Sequence, residues 1–435
     1  MPGWRAAQTR PVVISLLAVG LCLRWAGAVR GALMFDESIV WAFAREVRLA
    51  PGAIDQLLRN AEHPPLGAWI VRLSAALFGD GNSGARSLNV VIGSATILVV
   101  FALGRRLWGD FAGLGAAALL AVDRYHVTWS RLMVEESALL FFGALFLLFL
   151  VRAVADALPR DWALAGMALG LAYLSKESAI LLVPGALLGL ASSSQGRRSL
   201  RGAGPALALL AAGLVALPDL WFGLASPHAS HFSRNARLWR EPLGVTLKAS
   251  SLYLGELYRS LFGPDVLDVD YAQGLARAEL WPVGLAYLVA TAWALLRLRD
   301  AGSRLLGGVF LCVFVPFTLV SGGRLFDPYW WASLSLVPAI LFTARAAATL
   351  ERTPLVAMLL VLVAVGFDCA VVLKPGEGVP RLTRQEWAER IAADGEGRLA
   401  AGDRQTAGEQ AEEALLLDAE NARARRLLGA LDADR

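Results

Sequence analysis

Long apolar runs separated by short arginine-bearing connections dominate this chain. A helix that crosses a bilayer needs about 20 mainly apolar residues, fewer where its ends are buried in protein. Runs of this kind lie at 11–28, 85–104, 111–128, 136–151, 161–174, 178–191, 204–222, 281–296, 305–321, 329–344 and 354–373, which predicts about eleven transmembrane helices. Between the first two runs, a segment led by Pro64 and Pro65 continues as an apolar helix of about fifteen residues. It is too short to cross comfortably and is expected to lie along the interface. The fold class read from this pattern is an all-α polytopic membrane protein with interfacial helices in its first outer loop and a small helical tail. The division expected is a transmembrane domain over 1–373 and a tail over 374–435, with long outer loops at 29–84 and 223–280.

Arginines orient the spans. With a cytoplasmic amino terminus, the inner connections carry Arg5 and Arg10, Arg105 and Arg106, Arg152 and Arg160, then Arg197, Arg198 and Arg201. Arg297, Arg299 and Arg304 follow, and Arg345 and Arg352 come last, so every inner connection holds at least two, as the positive-inside rule requires. The amino terminus resembles a signal peptide, but Arg24 interrupts its apolar run and no cleavage site follows, so an uncleaved first span is expected. A multi-pass protein of a bacterial inner membrane results, with its outer loops and carboxy-terminal tail facing the periplasm.

Composition agrees with this reading. Apolar residues make up 56% of the 435, and charged ones only 18%, outside the range of soluble globular domains. The net charge of +4 is carried by arginine, because Lys176, Lys248 and Lys374 are the only lysines. No basic cluster exists outside short loops, so nucleic acid is not an expected partner. Cys22, Cys312 and Cys369 sit in apolar stretches without metal-ligand spacing and are read as packing residues.

The outer connections hold the chemistry-bearing residues. All four histidines, His63, His126, His228 and His231, fall there, with Asp36, Glu37, Glu62, Asp123, Arg131, Glu135, Glu136, Lys176, Glu177, Arg324 and Asp327. In FDESIVWAFAREV, Asp36 and Glu37 adjoin at the end of an apolar stretch. Close carboxylates raise one another's pKa, which suits a proton acceptor or a cation partner; acidic residues that favour a helix dipole are the alternative. Glu62 and His63 stand before the two prolines at the mouth of the interfacial helix. No motif demands a cofactor. A divalent metal ion is the one these ligand types would admit, with Glu62, His228 and His231 as its candidates. The loop SPHASHFSRNARLWREP suits a headgroup surface or an acidic acceptor, and equally an interfacial anchoring belt.

Taken in order, the DE pair after the first span, EHPPL, SRLMVEES and GLAYLSKES resemble the GT-C superfamily of glycosyltransferases. The similarity is to the branch with the protein O-mannosyltransferases and the lipid A aminoarabinose transferases, and it covers roughly residues 1–350. It implies a catalytic role for Asp36, with Glu37 as its neighbour. Family members place an Asp five residues beyond the motif arginine; here Glu136 follows Arg131 at that distance, with the same charge on a longer arm. The glycine-rich helix ending in Lys176 carries that residue over as a donor-phosphate contact, and GGRLFDPYWWASLSLVPA does the same for Arg324 and Tyr329. His63 falls in the proline motif and counts among the substrate-binding candidates.

Such an enzyme binds a polyprenyl-phosphate sugar whose lipid tail stays among the membrane lipids, and moves the sugar to a lipid, glycan or protein acceptor. Arginine or lysine at a span end can pair the phosphate as it leaves, while a carboxylate activates the acceptor for a single inverting displacement. A glycoside-hydrolase pair is disfavoured, because adjacent helical residues point about 100 degrees apart. A transporter or flippase would place ionisable residues at the bilayer midplane, whereas these spans read as mostly uncharged in their middles. A non-catalytic assembly protein is the remaining rival. The tail reads as three short amphipathic helices, with apolar faces through Trp387, Ile391 and Leu399, through Ala411, Ala414 and Leu415, and through Leu427 and Leu431. This resembles one tetratricopeptide repeat plus a helix, which cannot bury its own face, so a protein partner, a second copy or the chain's own outer loops must cover it.

Overall fold

The computed structural model describes residues 6–30, 37, 40, 41, 44, 63–225, 281–320, 328–349, 384–400, 402 and 404–433. Among these the chain is helical, with no strand. Helix α1 (Ala6–Arg30) is followed by α2 (Leu66–Phe78), α3 (Asn82–Trp108), α4 (Asp110–Val122), α5 (Arg124–Ser130), α6 (Glu136–Asp156) and α7 (Pro159–Ser175). A 3₁₀ turn, Glu177–Leu181, leads into α8 (Leu182–Ala191), α9 (Ser194–Leu200) and α10 (Gly204–Ala225). Then come α11 (Trp281–Leu295), α12 (Ala301–Val320), α13 (Pro328–Thr349) and the tail helices α14 (Arg384–Ala400), α15 (Arg404–Leu417) and α16 (Ala422–Ala433).

Each apolar run from 11–28 to 329–344 is helical, although 111–128 and 178–191 are each divided between two elements; the run 354–373 lies outside the described residues. Four stretches, Thr9–Val29, Asn82–Trp108, Glu136–Asp156 and Gly204–Trp221, are long and apolar enough to cross a membrane unaided. Leu66–Phe78, Asp110–Val122, Glu177–Ala191, Ala301–Val313 and Leu334–Thr349 are shorter apolar helices. The run 111–128 needs correcting. Its helix stops at Val122, because the Asp123 carboxylate accepts the His126 backbone N–H at 2.8 Å and starts the separate short helix α5.

Close packing comes from small residues. A side chain at Gly170 would sit 2.8 Å from the Ala212 carbonyl oxygen, and one at Gly185 2.6 Å from the Val309 Cα, so α7 meets α10 and α8 meets α12 nearly backbone to backbone. Leu103, Leu119, Leu120, Leu139 and Phe342 are fully buried between α3, α4, α6 and α13. Leu209, Leu210, Leu214 and Trp221 of α10 stay exposed, as an outer, lipid-contacting face requires.

The two ends of the bundle differ in charge. At one end Arg105 pairs with Asp110 at 2.7 Å, Arg106 with Asp156, Arg152 with Asp161 at 3.1 Å, and Arg345 with Asp300 at 2.9 Å. Arg86, Glu136 and Lys176 lie at the other ends of α3, α6 and α7, about 30 Å away for a helix of twenty residues. Span interiors are less bare than the sequence suggested. Arg24, fully buried in α1, donates to the carbonyls of Gly20, Leu120 and Ala121 and to His126 Nδ1 at 2.7 Å, and Tyr173 donates to Asp219 at 2.7 Å. His126, expected in a wet outer connection, is therefore a buried partner of Arg24.

In the tail, Ala407, Ala411, Leu427 and Leu431 pack on one another. Ala388, Ile391, Ala392, Ala414 and Ala424 belong to the same apolar cluster as Val40, Trp41, Ala44, Ala68, Val71 and Met133. The chain's own first loop thus contributes to covering the tail.

Candidate functional site

One short segment, Arg131–Glu136, organises the site. It joins α5 to α6 and is held by two buried groups from elsewhere in the chain. Asn89 of α3 donates from Nδ2 to the carbonyls of Leu132 at 2.6 Å and Val134 at 3.1 Å. Glu37 accepts the Met133 backbone N–H at 2.9 Å. The Glu37 carboxylate is itself gripped by Arg86, at 2.7 Å from Nε and 2.6 Å from Nη2, and both side chains are fully buried. Such a two-pronged pair fixes direction as well as charge. Glu37, Val40, Trp41 and Ala44 are helical and buried, and their spacing puts them on one face.

Arg131 begins the segment, and its side chain lies across α1 at Gly27. Any Cβ there would collide with the Arg131 Cδ and come within 2.6 Å of Nη1. The guanidinium has no hydrogen-bond or ion-pair partner among the described residues. Burial and the neighbouring Arg86 push its pKa down, and Glu37 offsets this in part. A largely buried cation without a counter-ion among the described residues invites an anion.

At the segment's other end, Glu136 reaches Lys176 at 2.6 Å, both buried, while the second Glu136 oxygen is buried without a hydrogen bond. Burial pulls the Lys176 ammonium down, but Glu136 and Glu135 lift it above its ordinary value. Beside them His63 Nδ1 lies 3.1 Å from Glu177. Burial opposes the charge of His63, yet Glu177 raises its pKa to about 9; Glu177 falls to about 2, as His63 and Lys176 outweigh burial. Glu135 lies between these pairs in electrostatic terms. Burial raises its carboxyl, His63 pulls it back, and Glu136 raises it again.

The structure therefore brings together Glu37, His63, Arg131, Glu136 and Lys176, at the end of the bundle marked by Arg86. Asp36, Glu62, His228, His231 and Arg324 lie outside the described residues, as does the side chain of Tyr329 at the start of α13. Among the described residues, no group of three His, Cys, Asp or Glu is arranged to hold a metal ion. Arg86 and Asn89 were not singled out from the sequence. Their signal was there, as polar residues in the first turns of an otherwise apolar span, but their partners could not be read from it.

Residues 62–222 match the family model described as dolichyl-phosphate-mannose-protein mannosyltransferase. Over 191 residues the chain is 35% identical to undecaprenyl phosphate-alpha-4-amino-4-deoxy-L-arabinose arabinosyl transferase of Pseudomonas aeruginosa, covering 42% of this chain and 33% of that protein. It is 28% identical over 221 residues to the lipid A galacturonosyltransferase RgtD of Rhizobium johnstonii, covering 49% of this chain and 43% of the relative. The chain thus spans between a third and a half of the length of these relatives. The crystal structure of ArnT from Cupriavidus metallidurans bound to undecaprenyl phosphate aligns with a TM-score of 0.59 at 18% identity, over 97% of this chain and 77% of that one. In fold the chain is a polytopic helical protein similar to that ArnT structure, and over part of its length its sequence resembles the protein mannosyltransferases and the aminoarabinose transferases.

Proposed function

We propose that this protein is a membrane glycosyltransferase that moves a sugar from a polyprenyl-phosphate donor to an acceptor at the periplasmic end of its bundle. The observation that carries the reading is the guanidinium of Arg131, laid over Gly27 near the end of α1 and without a partner among the described residues. A lipid-linked phosphate at the headgroup plane would complete it with charge-assisted hydrogen bonds. The same contact would stabilise the charge that grows on the phosphate as it leaves. Arg86 adds positive potential but is held by Glu37. Lys176 is neutralised by Glu136 and acts by holding the cluster together.

Asp36, next in the chain to the anchored Glu37, is read as the base. It takes the proton from an acceptor hydroxyl or amine, whose lone pair attacks the anomeric carbon. The bond from that carbon to the phosphate oxygen breaks, and the phosphate departs with the electron pair, giving inversion. The resemblance implies hexosyl or pentosyl transfer, mannosyltransferase-like, while the relatives' names include an aminopentose and a galacturonosyl group, so an aminopentosyl donor belongs in the first test. A lipid acceptor is favoured by the same names. The arginine-rich opposite end is assigned to the cytoplasm of a bacterial inner membrane. The first outer loop covers the tail in part.

The test is to incubate membranes holding the protein, or its Asp36→Asn form, with radiolabelled mannosyl and aminoarabinosyl polyprenyl phosphates. Transfer by the unaltered protein alone is expected. Equal transfer by both forms would remove Asp36 from the chemistry, and no transfer from any donor by the unaltered protein would refute the activity.

A further inference from the structure

Glu136 holds the position that the sequence resemblance marks, yet it is closed off by Lys176. Its neighbour Glu135 is not. Glu135 is the residue before α6, and its side chain makes no cap to the first-turn N–H groups. Apart from its own backbone amide, its side chain has no hydrogen-bond or ion-pair partner among the described residues, although the residue is only 7% exposed. A carboxylate has about four acceptor sites, so this side chain keeps capacity for a further partner.

Its direction is set by a glycine. The Glu135 side chain lies against Gly67 in the first turn of α2, where an added Cβ would come within 2.7 Å of the Glu135 Cγ. Gly67 follows the EHPPL motif, so the prolines and His63 bring to this point a residue with no side chain. Glu135 is four residues from Arg131, a separation of at most about 15 Å at 3.8 Å per residue. A sugar attached to a phosphate held by Arg131 is within its reach.

We propose that Glu135 reads the sugar: its carboxylate accepts a hydrogen bond from a ring hydroxyl or amino group of the transferred sugar, and Gly67 is the positioning residue that leaves it room. This rests on Arg131 as the phosphate ligand. The full chain in lipid nanodiscs is titrated with undecaprenyl phosphate and with undecaprenyl-phosphate 4-amino-4-deoxy-L-arabinose, and the ratio of the two affinities is the readout. The unaltered protein is expected to favour the sugar-bearing lipid by roughly tenfold or more, the scale of one hydrogen bond to a charged group. Glu135→Gln should bring the ratio near one while leaving the affinity for bare undecaprenyl phosphate unchanged. Gly67→Ala, which keeps the carboxylate but moves it, should give an intermediate ratio and decides the matter if Glu135→Gln does not fold. An equal ratio in variant and unaltered protein, or a ratio near one in the unaltered protein, overturns the role of Glu135 and leaves the phosphate site standing. Failure of the unaltered protein to bind either lipid overturns both.

Discussion

Lys176 and Glu136, forty residues apart in sequence, meet at 2.6 Å inside the protein. The pair ties the start of α6 to the end of α7, which puts its value in architecture. Removing one partner of a buried pair typically costs about 3–5 kcal/mol, because the other charge is left stranded, whereas replacing both with apolar residues is close to neutral. Glu136→Leu should therefore lower thermal stability sharply, and Lys176→Met with Glu136→Leu should recover most of it. A single variant as stable as the double would refute the structural assignment.

Glu37 and Arg86 make a second such pair, with a further tie to the Met133 amide. Glu37→Gln should destabilise by about 3 kcal/mol or more and loosen the Arg131–Glu136 segment. Asp36→Asn, one residue earlier, should abolish transfer with little change in melting temperature. Unfolding in detergent measured beside transfer separates the two roles; the reverse pattern would exchange them.

The His63–Glu177 pair sets a pH window. His63 is raised from 6.5 to about 9, so its contribution to stability is full below about 6.5 and is lost as pH rises through about 9. Glu177 is depressed from 4.5 to about 2, so its contribution is full above about 4.5 and is lost as pH falls through about 2. Melting temperature should therefore decline between pH 7 and 10, and Glu177→Gln should flatten that alkaline decline. An unchanged slope in the variant would show that the pair is not formed.

Much of this was legible in the sequence for a physical reason. A bilayer imposes long apolar runs and an arginine asymmetry, and both survive in a single chain without alignment, so the helices from 11–28 to 329–344 could be placed. Partners were not legible. Nothing in the spacing says that Glu136 closes on Lys176, that Glu37 belongs to Arg86, or that Arg131 has no counter-ion among the described residues. These depend on which helix ends meet. Asp219 and Arg24 show the same limit, since a polar residue within an apolar run reads as an interruption until its buried acceptor or donor is seen. The early stop of α4 was missed because Asp123 looked like a loop residue and not a helix cap.

Gly27 should matter for binding although it bears no chemistry. Gly27→Ala places a methyl group where the Arg131 side chain lies. Alanine is the better helix former, so stability should hold or rise slightly, while affinity for undecaprenyl phosphate should fall several-fold as the guanidinium is pushed aside. Binding equal to that of the unaltered protein would mean that the path of Arg131 over α1 is not the one used.

The claim on which the rest depends is that Arg131 holds the donor phosphate. Equilibrium binding of undecaprenyl phosphate to the purified chain and to Arg131→Gln, both in nanodiscs, tests it directly. Because Arg131 has no partner to lose among the described residues, the variant should melt within about 1 kcal/mol of the unaltered protein, yet bind at least tenfold more weakly, as loss of a charge-assisted contact implies. Equal affinity in two equally folded proteins would contradict the account.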